Sequence, residues 1–205
     1  MTHPPLMPIF LSPSKSMSAS PERPQALDEL ALSSPLLAHK SEALMRALRA
    51  QLMADERGAQ GALAELMSLS PKTVEREWGE LEAWRAEGAH TAALSYTGDV
   101  FAGLNAQGWS VEQWRAAQAQ LWLLSGLYGA LRPLDAISPY RLEAGLKLSP
   151  ALAQALQSAL NPTAEQAEPS KLLSKLLQPL VTQLLREQLT RGASDKAGAQ
   201  IGGQA

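Results

Sequence analysis

The densest group of chemically versatile side chains lies in a proline-stiffened segment between residues 132 and 143. It begins with Arg132–Asp135 (RPLD) and continues with Pro139–Glu143 (PYRLE). Two guanidinium groups near each other can bind a phosphate or a carboxylate through paired hydrogen bonds. The alternative is architectural, because buried arginines need acidic partners and Asp135 and Glu143 could pair with them internally. From the residues alone, internal ion pairs are favoured over a ligand site.

A second candidate lies near the N-terminus, where Ser12-Pro13-Ser14-Lys15 matches the S-x-x-K nucleophile motif of penicillin-recognising enzymes. The supporting S-D-N and K-T-G elements are absent from the sequence. The motif should also open a helix, which Pro13 and the following Ser/Pro-rich residues disfavour. We therefore interpret Lys15 as a loop lysine placed near an anion.

Composition narrows the possible functions. The 205 residues carry a net charge of -2, which argues against a nucleic-acid binder that works by bulk positive charge, so DNA contact would need a local basic patch. The absence of cysteine excludes thiol-based peroxide sensing and thiolate metal sites. His3, His39 and His90 lack metal-ligand spacing, and no glycine-rich nucleotide loop is present. Neither a cofactor nor a metal is indicated.

The sequence also gives little indication of a targeting signal or a membrane-spanning segment. The first residues, MTHPPLMPIFLSPSKS, form a poor signal peptide because prolines interrupt the apolar run and no basic stretch precedes it. No apolar stretch approaches the roughly 20 residues that a membrane-spanning helix needs. We expect a soluble, cytoplasmic protein with no membrane partner, and the sequence leaves its oligomeric state open.

Several elements must position these residues. Pro8–Leu11 predicts a buried, central strand, and residues 14–34 predict a loop. A helix is predicted to start at Ser34-Pro35, and a helix–turn–helix unit is predicted from Ala62 to about Trp84, with Ser70-Pro71 starting its second helix. The first of these helices would carry an apolar face made of Leu37, Ser41, Leu44, Leu48 and Leu52.

Further along, Ser110 and Gln113 form a capping-box pattern that predicts a helix running into Gly126. We place a domain at residues 1–149 and a linker with a short helix at 150–169. A leucine-striped amphipathic helix follows at 170–191, where Pro179 would kink or split it, and its basic residues are read mainly as a solvated face. The tail at 192–205 has the composition of a disordered segment.

Three segments closely resemble the signature of the YaaA family of bacterial peroxide-stress proteins. The longest runs from Leu124 through Leu131 (LSGLYGAL) into the Arg132–Glu143 segment and Gly145. The others are the strand ending in Ser12-Pro13-Ser14-Lys15, similar to the family's S-P-A-K, and Gly98–Leu104, similar to G-D-V-Y-x-G-L. The resemblance covers roughly residues 8–148.

The resemblance implies an α+β fold with an N-terminal core strand and several amphipathic helices, a role in limiting peroxide damage, and binding to duplex DNA. The family's helix-hairpin-helix-like element would correspond to Leu66 through Trp84. Lys72 keeps the family's lysine there, whereas Glu77 and Glu80 place negative charge nearby. Family members also continue beyond the signature with more strands and a basic segment, so this chain resembles a shortened or divergent member whose C-terminal part is incomplete.

Three functional hypotheses follow. In the first, the chain binds duplex DNA without catalysis, and Lys15, Lys72, Arg132 and Arg141 contact phosphate. In the second, it is an enzyme or binder for a small anionic ligand in a pocket made by Lys15, Arg132 and Arg141 with Ser12, Asp99, Asp135, Tyr140 and Glu143. In the third, it is a truncated, non-functional relic whose exposed leucine stripe drives association.

Overall fold

The computed structural model describes residues 7–12, 14, 16–18, 20–86, 88–143, 145–161 and 172–201, with side chains through 187 in the last helix. The fold is α+β, which confirms the predicted class. The helices are α1 (Ala38–Met53), α2 (Gly58–Met67), α3 (Pro71–Ala83), α4 (Ala92–Ser95), α5 (Asp99–Leu104), α6 (Val111–Gln120), α7 (Pro150–Leu160) and α8 (Leu173–Ile201). The strands are β1 (Ile9–Leu11), β2 (His90–Thr91), β3 (Leu121–Ser125), β4 (Gly129–Leu131) and β5 (Ala136–Ile137).

Three strands form the main sheet in the order β1-β3-β4. Strand β1 runs parallel to β3, and β3 runs antiparallel to β4. Strands β2 and β5 form a separate antiparallel pair. The prediction of a strand at Pro8–Leu11 is confirmed, but its predicted central, buried position is wrong, because β1 lies at an edge of the described sheet with Ile9 and Phe10 exposed.

Helix α6 begins as the capping box predicts. The Ser110 side chain accepts from the Gln113 backbone amide, and the Gln113 side chain accepts from the Ser110 amide. The prediction that this helix runs into Gly126 is wrong, because Leu121 turns extended and Leu121–Ser125 forms β3. An uninterrupted apolar run suits a strand buried on both faces as well as it suits a buried helix. Because Leu121–Ser125 pairs with β1 and β4, it forms a strand.

Helices α1 to α3 form the layer beside the candidate site. Helix α1 starts at Ala38, later than the predicted Ser34-Pro35 start. It buries the predicted apolar face from Ser41 to Leu52 together with Met45, while Leu37 precedes the helix and is half-buried. Helix α3 starts as predicted, with Ser70 before Pro71 at its first position. Ser68 ends α2 in a left-handed conformation (φ 53°), so a short turn joins α2 to α3. The helix–turn–helix prediction is therefore confirmed.

The C-terminal helices complete the core. Helix α7 occupies the first part of the predicted linker at 150–169 and buries Leu152, Leu156 and Leu160, while residues 162–170 lie outside the described range. Helix α8 is continuous through Pro179 and covers the second face of the main sheet, where Leu184 packs with Trp122 and Ala130. Its backbone remains helical to Ile201, beyond the predicted end at 191. In the described ranges, no helix is long and apolar enough to cross a membrane.

Gly129, the first residue of β4, is held by both its conformation and its surroundings. Its φ is +74°, and a Cβ added there would lie 2.8 Å from a Val181 methyl and 3.1 Å from a Leu37 methyl. Residues that carry a Cβ are strained at this φ. The close approach of α8 and the residue before α1 therefore requires glycine.

We expect Gly129→Ala to lower the free energy of unfolding by about 1–3 kcal/mol, through backbone strain and overpacking. Gly79→Ala is the matched control, because an added Cβ in the middle of α3 meets nothing within 4 Å. It should be neutral or stabilise by up to about 1 kcal/mol. Urea unfolding measures both variants, and equal effects would contradict this account of Gly129.

Candidate functional site

The turn at residues 132–135 is built around a buried carboxylate. Asp135 is 2% exposed. Its Oδ2 accepts from the Arg132 backbone amide (2.7 Å), and its Oδ1 accepts from the Ser33 hydroxyl (2.6 Å). Gln118 closes the network, since its Nε2 donates to Ser33 Oγ (3.2 Å) and its Oε1 accepts from the Leu134 amide (2.9 Å). The carboxylate thus has donors from distant segments.

The Arg132 guanidinium is turned into the protein. It lies over the Trp122 ring, 4.5 Å from the centroid, and its Nη2 donates to the Gln118 carbonyl. Within the described ranges its buried Nε has no hydrogen-bond partner. Burial lowers the pKa of Arg132, and the Asp135 charge opposes this shift. These contacts assign Arg132 to the architecture of the sheet and α6.

Arg141 faces α3. The Glu77 carboxylate on α3 is 6% exposed and accepts a hydrogen bond from Arg76 Nη2 at 2.7 Å. Arg141 Nη1 lies 3.6 Å from the same Glu77 oxygen, and Arg76 Nε lies 3.9 Å from Glu80. One buried carboxylate therefore holds two arginines. The sequence had suggested Glu143 as the acidic partner of an arginine in this segment, and it did not suggest Glu77.

A chain of buried hydroxyl groups fixes the backbone just before Arg141. Ser125 Oγ accepts from the amides of Leu127 (3.2 Å) and Tyr128 (2.8 Å). Its hydroxyl hydrogen is then free to donate to Tyr140, whose oxygen lies 2.5 Å away, and Tyr140 in turn reaches the Tyr96 oxygen at 2.8 Å. Burial raises the pKa values of Tyr96 and Tyr140 above the ordinary value for tyrosine.

These segments surround an open cleft between α3, the residues that follow β1 and the 139–141 loop. The N-terminal segment is fixed by backbone hydrogen bonds from Thr97 to Ser16 (3.0 Å) and from Ser18 to Ser95 (2.8 Å). Gly98 approaches Ser14 closely, since a Cβ on Gly98 would lie 3.3 Å from the Ser14 hydroxyl. The cleft is lined by Ser16, Met17, Arg76, Glu77, Glu80, Pro139, Tyr140 and Arg141.

The predicted site residues therefore divide into two groups. Tyr140 and Arg141 line the cleft, while Arg132 and Asp135 belong to the interior network. Of three others, Ser12 and Asp99 are exposed and Glu143 is half-buried. Lys72 is exposed in the first turn of α3, and Lys15 lies outside the described residues.

Sequence reasoning missed several residues of this site. Arg76 had a usable signal, because it follows Lys72 by one helical turn on a correctly predicted helix. Ser33, Gln118 and Tyr96 had none, since their partners are distant in the sequence, and Ser125 lies in the LSGLYGAL segment without a sign there of its bond to Tyr140. Among the described residues, no group of three or more histidine, aspartate or glutamate side chains is placed to hold a metal ion.

The stability of the fold should depend on the titration of Asp135. Burial raises its pKa to about 6 from 3.8, although the Arg132 amide, the Ser33 hydroxyl and the Arg132 charge oppose the shift. The folded protein therefore binds this proton more tightly than the unfolded chain. The resulting stabilisation is complete below about pH 4 and is lost as the pH rises through about 6.

We expect Asp135→Asn to remove this part of the pH dependence of the urea midpoint, compared at about pH 4 and about pH 7. At about pH 4, where the folded protein keeps Asp135 protonated, the variant should be less stable by about 1–3 kcal/mol, because an amide nitrogen cannot accept from the Arg132 amide or the Ser33 hydroxyl. Asp99→Asn controls for the loss of one exposed carboxylate. An unchanged pH dependence in Asp135→Asn would contradict the titration.

Comparisons with known proteins find similar sequences over most of the described chain. The family model described as peroxide stress protein YaaA matches residues 7–184. A UPF0246 protein of Bordetella pertussis is 43% identical over 118 residues, which cover 56% of this chain and 43% of that protein. One from Bordetella avium is 39% identical over 145 residues (68% and 52%), and one from Flavobacterium johnsoniae is 31% identical over 165 residues (78% and 61%).

The chain thus spans about half the length of the curated relatives that it matches. The match to the family model nevertheless takes in both the Arg132–Asp135 network and the cleft around Arg141, and it extends from β1 into α8. On this match, the chain belongs to the family of the peroxide stress protein YaaA.

Proposed function

We propose that this chain acts in the cytoplasm as a non-enzymatic peroxide-stress protein that binds duplex DNA. The observation that carries the proposal is a group of three cations on and beside α3, namely Lys72, Arg76 and Arg141, which we call the α3 basic row. Lysine and arginine contacts to phosphate supply most of the affinity in sequence-independent DNA binding. Family membership supports the stress role, and the resemblance of the α2–α3 hairpin supports the DNA role.

The geometry of the α3 basic row suits a phosphate backbone. Lys72 and Arg76 are four residues apart on α3 and therefore lie on one face. Arg76 and Arg141 share Glu77, yet their side chains remain 64% and 41% exposed. The short turn after Ser68 presents the N-terminal end of α3 beside Lys72, and the helix dipole there favours an anion. Arg132 is not part of the α3 basic row.

Acidic residues limit the strength of such binding. Glu77 offsets one of the arginine charges, and Glu80 lies in the same cleft at 38% exposure. Burial, followed by the nearby Glu77 charge, raises the pKa of Glu80. Together with the net charge of -2, these groups predict weak binding that depends steeply on salt.

A second candidate function is the binding, or conversion, of a small anion in the cleft. The observation that favours it is that Arg76 and Arg141 line the cleft together with Ser16 and Tyr140. Guanidinium and hydroxyl donors suit a carboxylate or a phosphate ester. Glu77 and Glu80 in the same lining disfavour a multiply charged anion.

The DNA proposal is tested by fluorescence anisotropy of a labelled duplex at several salt concentrations. We expect affinity to fall with salt, with a slope of log K against log salt near −2 to −3 for two or three phosphate contacts. Lys72→Ala and Arg76→Ala should each weaken binding by about fivefold and reduce the magnitude of the slope by about one. Glu80→Gln should strengthen binding, because it removes a negative charge beside the α3 basic row.

The matched control is Arg46→Ala, which removes an exposed arginine from α1, a different helix. This variant should bind as the wild-type protein does. Absence of binding at low salt, by protein that circular dichroism shows to be folded, would overturn the proposal. Equal weakening by Arg46→Ala and Arg76→Ala would show that general charge, rather than this surface, attracts the duplex.

The small-anion alternative is tested by titrating acetate, a singly charged carboxylate, and inorganic phosphate while following thermal unfolding. Binding in the cleft should raise the unfolding temperature of the wild-type protein, and the rise should grow with the logarithm of ligand concentration above the dissociation constant. Arg76→Ala should abolish the effect, whereas Arg46→Ala should retain it. A shift that survives in Arg76→Ala would place the anion elsewhere.

A further inference from the structure

Glu77 differs from the other acidic residues of α3 in its surroundings. It is 6% exposed, whereas Glu75 and Glu82 on the same helix are exposed and Glu80 is half-buried. Glu77 also lines a small cavity together with four apolar side chains, those of Met45, Met67, Leu81 and Leu142. A carboxylate in such surroundings stays charged at an acceptable cost only if charged donors bind it.

Within the described ranges, the donors to this carboxylate are two arginines from different parts of the chain. Arg76 Nη2 donates to Glu77 Oε1 at 2.7 Å, and Arg141 Nη1 lies 3.6 Å from the same oxygen. Arg76 precedes Glu77 on α3, whereas Arg141 follows Tyr140, whose hydroxyl is held by Ser125 in β3. Two guanidinium groups repel each other, so a shared carboxylate is what keeps them close.

We propose that Glu77 is a positioning residue, whose buried carboxylate holds the guanidinium groups of Arg76 and Arg141 as a fixed pair beside the cleft. This role rests on the function proposed above, in which the α3 basic row contacts phosphate. The two arginine side chains remain 64% and 41% exposed. Because a guanidinium has five N–H donors, each keeps donors for a phosphate after it has bound Glu77.

Glu77 affects phosphate binding in two opposing ways. Its charge repels the phosphate, and removing one exposed charge changes affinity by roughly fivefold at most. Its hold on the arginines favours binding, because ordering two free arginine side chains on binding would weaken affinity by roughly 5- to 150-fold. The ordering effect is the larger. Glu80 exerts mainly the repulsion, since it is 38% exposed and lies 3.9 Å from its nearest arginine nitrogen, Nε of Arg76.

Side-chain NMR of the full chain tests the positioning directly. In the wild-type protein the Nε–Hε groups of Arg76 and Arg141 should be rigid, with order parameters above about 0.6. Arg46 is the matched control and should fall below this value, because its carboxylate partner on α1 is 60% exposed and 3.7 Å away. Glu77→Gln should make Arg76 and Arg141 as mobile as Arg46, whereas Glu80→Gln should leave both rigid. Mobile arginines in the wild-type protein, or rigid ones in Glu77→Gln, would refute the role of Glu77.

Duplex binding, followed by fluorescence anisotropy at low salt, tests the consequence. Glu77→Gln and Glu80→Gln remove the same charge from the same helix and should act in opposite directions. Glu80→Gln should strengthen binding by roughly two- to fivefold. Glu77→Gln should weaken it by about threefold or more, because the loss of ordering exceeds the loss of repulsion.

The outcomes separate the positioning role from the proposed function. Equal strengthening by Glu77→Gln and Glu80→Gln would refute the positioning role and leave duplex binding intact. A wild-type protein that binds no duplex while its arginines are rigid would refute the proposed function instead. The measurement on the wild-type arginines needs no variant, so it decides the matter even if Glu77→Gln fails to fold.

Discussion

The buried carboxylate of Asp135 is the constraint on which the site depends. A carboxylate that is 2% exposed must receive hydrogen bonds, and its donors come from the turn of Arg132 and from Ser33, a residue 102 positions away. The backbone of Asp135 is held at the same place, because Ser33 and Asp135 form a β-bridge and the Ala92 amide donates to the Asp135 carbonyl. The hydrogen bonds made by Asp135 therefore join the loop before α1, the start of α4 and the end of β4.

This anchoring explains why two arginines of one signature segment have different environments. Arg132 leaves β4 next to the buried carboxylate, so its guanidinium lies between the Trp122 ring and the end of α6. Arg141 comes after Tyr140, whose hydroxyl is held by Ser125 in β3, and it emerges toward α3. The first half of the segment is architectural, and the second half presents Arg141 to the cleft beside α3. This geometry therefore does not favour Arg132 and Arg141 acting together on one ligand.

The sequence predicted those features whose signals are local. The starts of α3 and α6 were predictable because Ser70-Pro71 and the Ser110/Gln113 capping box lie within one turn of the helix that they begin. The strand nature of Leu121–Ser125 was not, because an unbroken apolar run has no period and its two neighbouring strands decide its conformation. The partner of Arg141 was equally hidden, since Glu77 lies on another helix and reads in the sequence as a solvent-facing charge.

Glu77 also shows how a chain of net charge -2 can hold two arginines in fixed positions beside an open cleft. A buried carboxylate is costly unless it is paired, so the folded state must keep Arg76 and Arg141 beside it. Each arginine uses only some of its donors in that contact, and both stay partly exposed. The acidic group thus reduces the local charge but fixes two guanidinium groups in place before any ligand arrives. Less ordering is then needed on binding, so a small fixed cluster can serve where a larger mobile one would otherwise be required.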